Sequence, residues 1–190
     1  MVEESRLELV YRVEVTDCLY VPAGRDSLLP NSIELRSIRC REREVVVPYV
    51  PPRYVSEALG LQGLKGVIIT GLAPPCDIIE SMIESKGFVE LGDFLEYRDL
   101  RVIERVLGTS STCPVVLVKR GVVLEGRILA EDACDALKHI DGVYKRLREG
   151  LVVGSLREAG CGYLRLVGVK LLLGGEEVGR DEVRRLCASG

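Results

Sequence analysis

The sequence predicts an α+β fold, with helices packed on one face of an antiparallel sheet in the order β–α–β–β–α–β. Three observations carry this. Leu7 to Val15 places Leu7, Leu9, Tyr11, Val13 and Val15 on one side of an extended chain, against Glu8, Arg12 and Glu14 on the other. Ala130 to Arg148 sets Ala130, Ala133, Cys134, Leu137, Ile140, Tyr144 and Leu147 at helical spacing. Strand patterns flank that helix, at Val122 to Leu129 and Tyr163 to Leu173. The order is the ferredoxin-like split βαβ arrangement. The chain reads as one domain over residues 1–190, with a mainly helical insertion at about 60–112.

Each element follows from local chemistry. Asp17 to Asn31 holds Pro22, Gly24, Asp26 and Pro30 and reads as a loop. Ile33 to Arg39 and Glu44 to Val47 form a hairpin pattern around Arg41-Glu42-Arg43. Pro48, Pro51 and Pro52 end it, and the proline pair starts a short helix over Arg53 to Leu59. Val67 to Thr70 reads as a short buried strand. Cys76 to Ser85 is helical after Pro74-Pro75, and Asp93 to Leu107 carries a second helical pattern. Pro114 to Val118 and Val122 to Leu129 read as a hairpin joined at Lys119-Arg120-Gly121. Gly150 stops the long helix, and Gly174-Gly175 turns the chain into a charged C-terminal helix.

Composition narrows the class. With 47% hydrophobic and 29% charged residues the chain has the profile of a globular domain. A net charge of −3 means that any nucleic-acid surface is local. No apolar run approaches the roughly 20 residues that span a bilayer, and Met1 to Arg6 lacks an apolar signal core. A cytoplasmic protein without membrane contact is therefore expected. One Asn (Asn31), one Gln (Gln62) and an Arg-dominated basic set suggest a thermophilic, archaeal source. Such organisms tolerate intracellular disulfides, but the preferred reading of most of the seven Cys is as small buried hydrophobes. No C-x-x-C pair is present and the single His is His139, so neither a metal site nor a cofactor is expected.

The most informative segment is Gly154-Ser155-Leu156-Arg157-Glu158-Ala159-Gly160-Cys161-Gly162, between the long helix and the last strand. Glycines let a backbone approach closely, and consecutive free N–H groups form an anion-binding concavity. Arg157 and Arg165 add donors suited to phosphate. The segment lacks both the dinucleotide-binding and the P-loop spacing, and its loop opens a strand rather than a helix. The sheet order also underlies the RNA recognition motif, but the aromatic residues of that motif are missing.

On these residues the chain resembles the RAMP superfamily, the CRISPR-associated RNA-binding proteins. Their hallmark is a glycine-rich loop between the last helix and the last strand. Gly154, Gly160 and Gly162 fall at matching spacing, followed by Leu164 and Leu166, while Ser155 and Cys161 depart from the family pattern. Leu19 to Asp26 and Pro48 to Val55 are similar to segments of the backbone subunits of type III effector complexes. The resemblance implies an RNA-binding subunit of a ribonucleoprotein serving antiviral defence, with guide RNA backbone and other subunits as partners. It implies RNA contacts from Gly154, Arg157, Gly160, Gly162 and Arg165, assisted by Arg53 and Lys65. It also points to Asp26 as an RNA-cutting carboxylate, against a solvated loop Asp as the preferred alternative.

Other residues bear two readings. Arg36, Arg39, Arg41 and Arg43 form a basic patch interrupted by glutamates, which either tracks phosphates or solvates a hairpin. His139 is read as structural. Cys76 stands at a helix start that lowers a thiol pKa, so a thiol-dependent enzyme is the rival function. A non-catalytic scaffold without a site is the third.

Overall fold

A computed structural model of the chain describes residues 6–23, 33–104 and 109–188. They run through β1 (Leu7–Val15), β2 (Cys18–Leu19), β3 (Leu35–Cys40), β4 (Arg43–Pro48), α1 (Pro52–Leu59), β5 (Val67–Ile69) and α2 (Cys76–Lys86). There follow β6 (Leu95–Glu104), β7 (Thr109–Lys119), β8 (Val123–Ala130), α3 (Ala133–Glu149), β9 (Leu151–Val152), β10 (Tyr163–Leu173), β11 (Glu176–Glu177) and α4 (Arg180–Ala188). The architecture is α+β, with antiparallel sheets as the sequence predicts. The main sheet has the order β11-β10-β1-β8-β5, with β9 paired to the start of β10. A second sheet runs β2-β7-β6, and β3-β4 stand as a separate hairpin.

β1 is the axis of the core. All five of its odd residues are buried, in one cluster with Val55 and Leu59 of α1, Ile140, Val143, Tyr144 and Leu147 of α3, and Val183 of α4. Those three helices therefore share one face of the main sheet. α1 begins with Pro52 in its first turn, where the missing N–H costs nothing. α3 is capped by Asp132, whose carboxylate accepts from the N–H groups of Cys134 and Asp135.

Tyr11 lies directly opposite Gly126 in β8, and its ring covers the space that a side chain there would fill. Its hydroxyl is buried with no hydrogen-bond partner, and burial pushes the phenol well above the ordinary tyrosine range. Desolvating a hydroxyl without a partner costs about 1–3 kcal/mol. Tyr11→Phe is therefore expected to stabilise the protein by about 1 kcal/mol, read as a higher urea midpoint at unchanged m-value. A lower midpoint would mean that the hydroxyl has a partner.

Five readings of the sequence are corrected. Residues 95–104, read as part of a helix over Asp93 to Leu107, form β6, which pairs with β7 rung for rung from Leu95↔Val118 to Glu104↔Thr109. The apolar spacing suited either element, and the complementary strand decided it. Residues 114–118 and 122–129 are strands but not partners. Gly121 donates to the Val15 carbonyl and the chain crosses from one sheet to another. β5 takes the sheet position that β7 would have held. It is an edge strand with Ile68 half exposed, not a buried one. Within the expected loop of Asp17 to Asn31, Cys18–Leu19 pairs with β7, and residues 24–32, Asp26 included, lie outside the described residues.

The fifth correction concerns the cysteines. Six of the seven form disulfides: Cys18–Cys161, Cys40–Cys76 and Cys134–Cys187. Their partners lie 143, 36 and 53 residues apart, so no local spacing could announce them. Cys76 is consequently not a free thiol. It ties α2 to β3, and the thiol-enzyme reading falls with it.

Candidate nucleic-acid interface

The glycine-rich segment is clamped from two sides. Val153 donates to the Gly162 carbonyl at 2.9 Å, closing the loop on itself. Ser155 donates to Tyr20 at 2.8 Å and Gly162 to Cys18 at 2.7 Å, fastening it to the chain around β2. Gly154 and Gly162 have φ of +78° and +95°, and a Cβ on either would run into a backbone carbonyl, of Tyr20 and Val153 respectively. Both glycines are thus required by close backbone approach. Leu156 is left-handed without being glycine, at φ +61°, and opens a single 3-10 turn over Arg157–Ala159.

The clamping changes what the loop offers an anion. The N–H groups of Ser155, Ala159, Gly160, Cys161 and Gly162 all donate to carbonyls of the protein. The row of free amides expected from the sequence is therefore largely consumed. What remains for a phosphate is side-chain charge.

Arg157 is exposed on the 3-10 turn, its Nε donating back to the Gly154 carbonyl at 3.3 Å. Arg165 sits on the open face of β10 and is ion-paired with Glu14 at 2.7 Å. Arg53 lies in the first turn of α1, stacked over the Tyr54 ring at 4.8 Å, and α1 touches β9, which leads into the loop. Lys65 is not part of this group. It lines a hollow with Asp132, Asp135 and Lys138 at the first turn of α3, whereas the loop follows the last. Seventeen helical residues separate the two ends, about 25 Å. His139 is exposed on the same rim as Lys65.

One cation joins the loop that the sequence did not single out. Arg98 of β6 reaches Asp17 at 3.3 Å and Glu96 at 2.8 Å. Asp17 itself lies beside Gly160. The hydrogen bond to Asp17 raises the Arg98 pKa further. No sequence signal links residues 17, 98 and 160. They meet because β6 and β2 flank β7 and because Val115 and Leu117 of β7 pack with Cys18 and Cys161.

The open face of the main sheet presents a different chemistry. A shallow hollow of about 720 Å³ runs over Val10, Arg12, Glu125, Arg127, Val167 and Lys170. Every cation there has a carboxylate: Arg12 pairs with Asp77 and Glu125, Arg127 with Glu8 and Glu125, and Lys170 with Glu177. Such a face is self-neutralised and offers little to a phosphate backbone. The Arg12 guanidinium, hydrogen-bonded to Asp77, holds that carboxyl below the usual carboxylate range. A depressed folded pKa contributes stability above the unfolded value, near 3.9, and the contribution disappears as pH falls through the folded value. Asp77→Asn is expected to flatten the acid limb of stability below about pH 4, measured by urea midpoints against pH. An unchanged limb would exclude the pair.

The arginine-rich hairpin is likewise partly committed. Arg41 pairs with Glu80 at 2.9 Å, Arg39 donates to the Arg41 carbonyl, and Arg36 stacks on Tyr49 at 4.8 Å.

No family model matches the sequence, and no curated protein matches it. The fold is shared with chains of solved complexes. One belongs to Type III-B Cmr-beta, solved by cryo-EM bound to cognate target RNA, with a TM-score of 0.59 and 11% identity over 90% of this chain. The chain spans 62% of the length of that relative. Another belongs to a Type IV-B CRISPR complex, with a TM-score of 0.56 and 8% identity over 87% of this chain and 90% of that one. At these identities the likeness is one of fold. Among the described residues no helix is long and apolar enough to cross a membrane.

Proposed function

We propose that this chain is a RAMP-like, RNA-binding subunit of a CRISPR ribonucleoprotein. The observation that carries the reading is its fold, shared with chains of two such complexes over 87–90% of its length. The strand order β10-β1-β8-β5, with α1 and α3 as the crossovers, supports a ferredoxin-like core within a single domain. The three disulfides support a source where intracellular disulfides persist, as in hyperthermophilic archaea.

Guide RNA is held by its backbone at the glycine-rich loop. Gly154, Gly160 and Gly162 shape the loop, Arg157 contacts phosphate, and Arg53 extends the contact along α1. Arg165 and Arg98 contribute less, because Glu14 already neutralises the first and Asp17 and Glu96 the second. The role is structural rather than catalytic, with RNA and neighbouring subunits as partners and the cytoplasm as its place. Asp26→Asn is accordingly expected to leave guide-RNA affinity unchanged. A weaker complex would make Asp26 part of the binding surface.

The test is RNA binding by the full chain, alone and co-expressed with the proteins of its complex. A labelled single-stranded RNA should bind, with log Kd rising linearly with log salt. No RNA bound in either setting would refute the proposal and leave a scaffold.

A further inference from the structure

We infer that the Cys18–Cys161 disulfide is a redox control on the glycine-rich loop, which takes its RNA-binding shape only in the oxidised protein. The inference deepens the RNA-binding reading above and rests on it. Cys161 lies inside the loop and Cys18 in β2, so the bond joins the loop directly to the strand that clamps it. The two backbone hydrogen bonds that hold the loop from outside, Gly162 to Cys18 and Ser155 to Tyr20, fall within two residues of Cys18.

The loop needs such a hold. Four of the nine residues 154–162 have left-handed φ, one of them the leucine at 156. A chain held in sparsely populated conformations stays there only when its surroundings over-determine it. The side chains that do so form a small cluster of their own, in which Cys18, Cys161, Val115 and Leu117 are buried and Tyr20 and Leu156 pack against them. Without the bond, that cluster and two backbone hydrogen bonds must keep β2 and the loop together.

Closing the bond removes two electrons and two protons from the thiols of Cys18 and Cys161. A disulfide of the small-molecule or oxidoreductase class accepts them and leaves as a dithiol. The paired cysteines are 0% and 1% exposed, so once formed the bond is shielded from thiolate attack. Cys134 of the Cys134–Cys187 bond is exposed and opens first under mild reductant. The control thus acts as a maturation step: the chain made with free thiols binds weakly, and oxidation commits it.

The experiment uses the full chain and a fluorescently labelled single-stranded RNA of mixed sequence. Oxidised wild type is compared with Cys18→Ser/Cys161→Ser and with Cys40→Ser/Cys76→Ser. If the open loop is competent about one tenth of the time, Kd rises about tenfold in the first variant. In the second it is unchanged. Hydrogen exchange of amides 155–162 should accelerate in the first variant alone. Equal affinity in the wild type and the first variant overturns the inference. So does exchange that accelerates across the whole chain, for the serine pair or for Cys18→Ala/Cys161→Ala, since the bond would then be a global staple. If oxidised wild type binds no RNA, the RNA reading fails instead. Loop exchange then decides the redox inference separately, and equal protection in both proteins refutes it.

Discussion

Gly154→Ala is expected to destabilise the protein by about 3 kcal/mol, and to lower its Tm by roughly 6–12 °C. Two effects add at this position. An L-residue at φ +78° is strained, by about 1–2 kcal/mol. The new methyl also meets the Tyr20 carbonyl, which cannot yield because it accepts from Ser155. Gly174→Ala separates the two effects. It also has positive φ, +59°, but its Cβ would enter open space. Strain alone should then cost about 1 kcal/mol. Equal losses at Gly154 and Gly174 in paired thermal melts would show that the close approach to Tyr20 contributes nothing. RNA affinity of the folded Gly154→Ala fraction should fall as well, since the loop can relieve the contact only by leaving β2.

The second large effect concerns charge. Arg53→Ala and Arg157→Ala should each weaken single-stranded RNA binding about tenfold, the scale of one charge-assisted hydrogen bond. Each should lower the slope of log Kd against log salt by about one. Lys65→Ala is the internal control, since it lies at the far end of α3 and should leave both quantities unchanged. Affinity that falls for Lys65→Ala but not for Arg157→Ala would move the interface to the other end of the molecule.

The loop illustrates how differently two parts of one site are legible. Its glycines could be read from spacing, because a helix, three glycines and a strand are local facts. Why Gly154 and Gly162 are needed could not, because the carbonyls of Tyr20 and Val153 close on them only in the folded chain. The sequence suggested free amides for an anion, and five of them turned out to be spent on the protein's own carbonyls. Arg98 was invisible for a related reason. Its segment carried apolar spacing that a helix also satisfies, and only pairing with β7 made it a strand that aims Arg98 at the loop.

By itself the sequence determined the elements whose pattern is periodic and whose ends are chemically marked. β1 and β10 match their predicted bounds, the β3–β4 hairpin matches within a few residues, α1 begins at its proline pair and α3 ends at Gly150, whereas α3 begins at Ala133 and not at Ala130, which belongs to β8. Burial of one face and satisfaction of terminal N–H groups are local requirements, so local residues encode them. The tertiary structure alone decided which strands share a sheet, which cysteines meet and which carboxylates the cations pair with. Each of these depends on the distance between residues tens of positions apart. Neither hydrophobic period nor spacing carries that distance until the core around Tyr11 has closed.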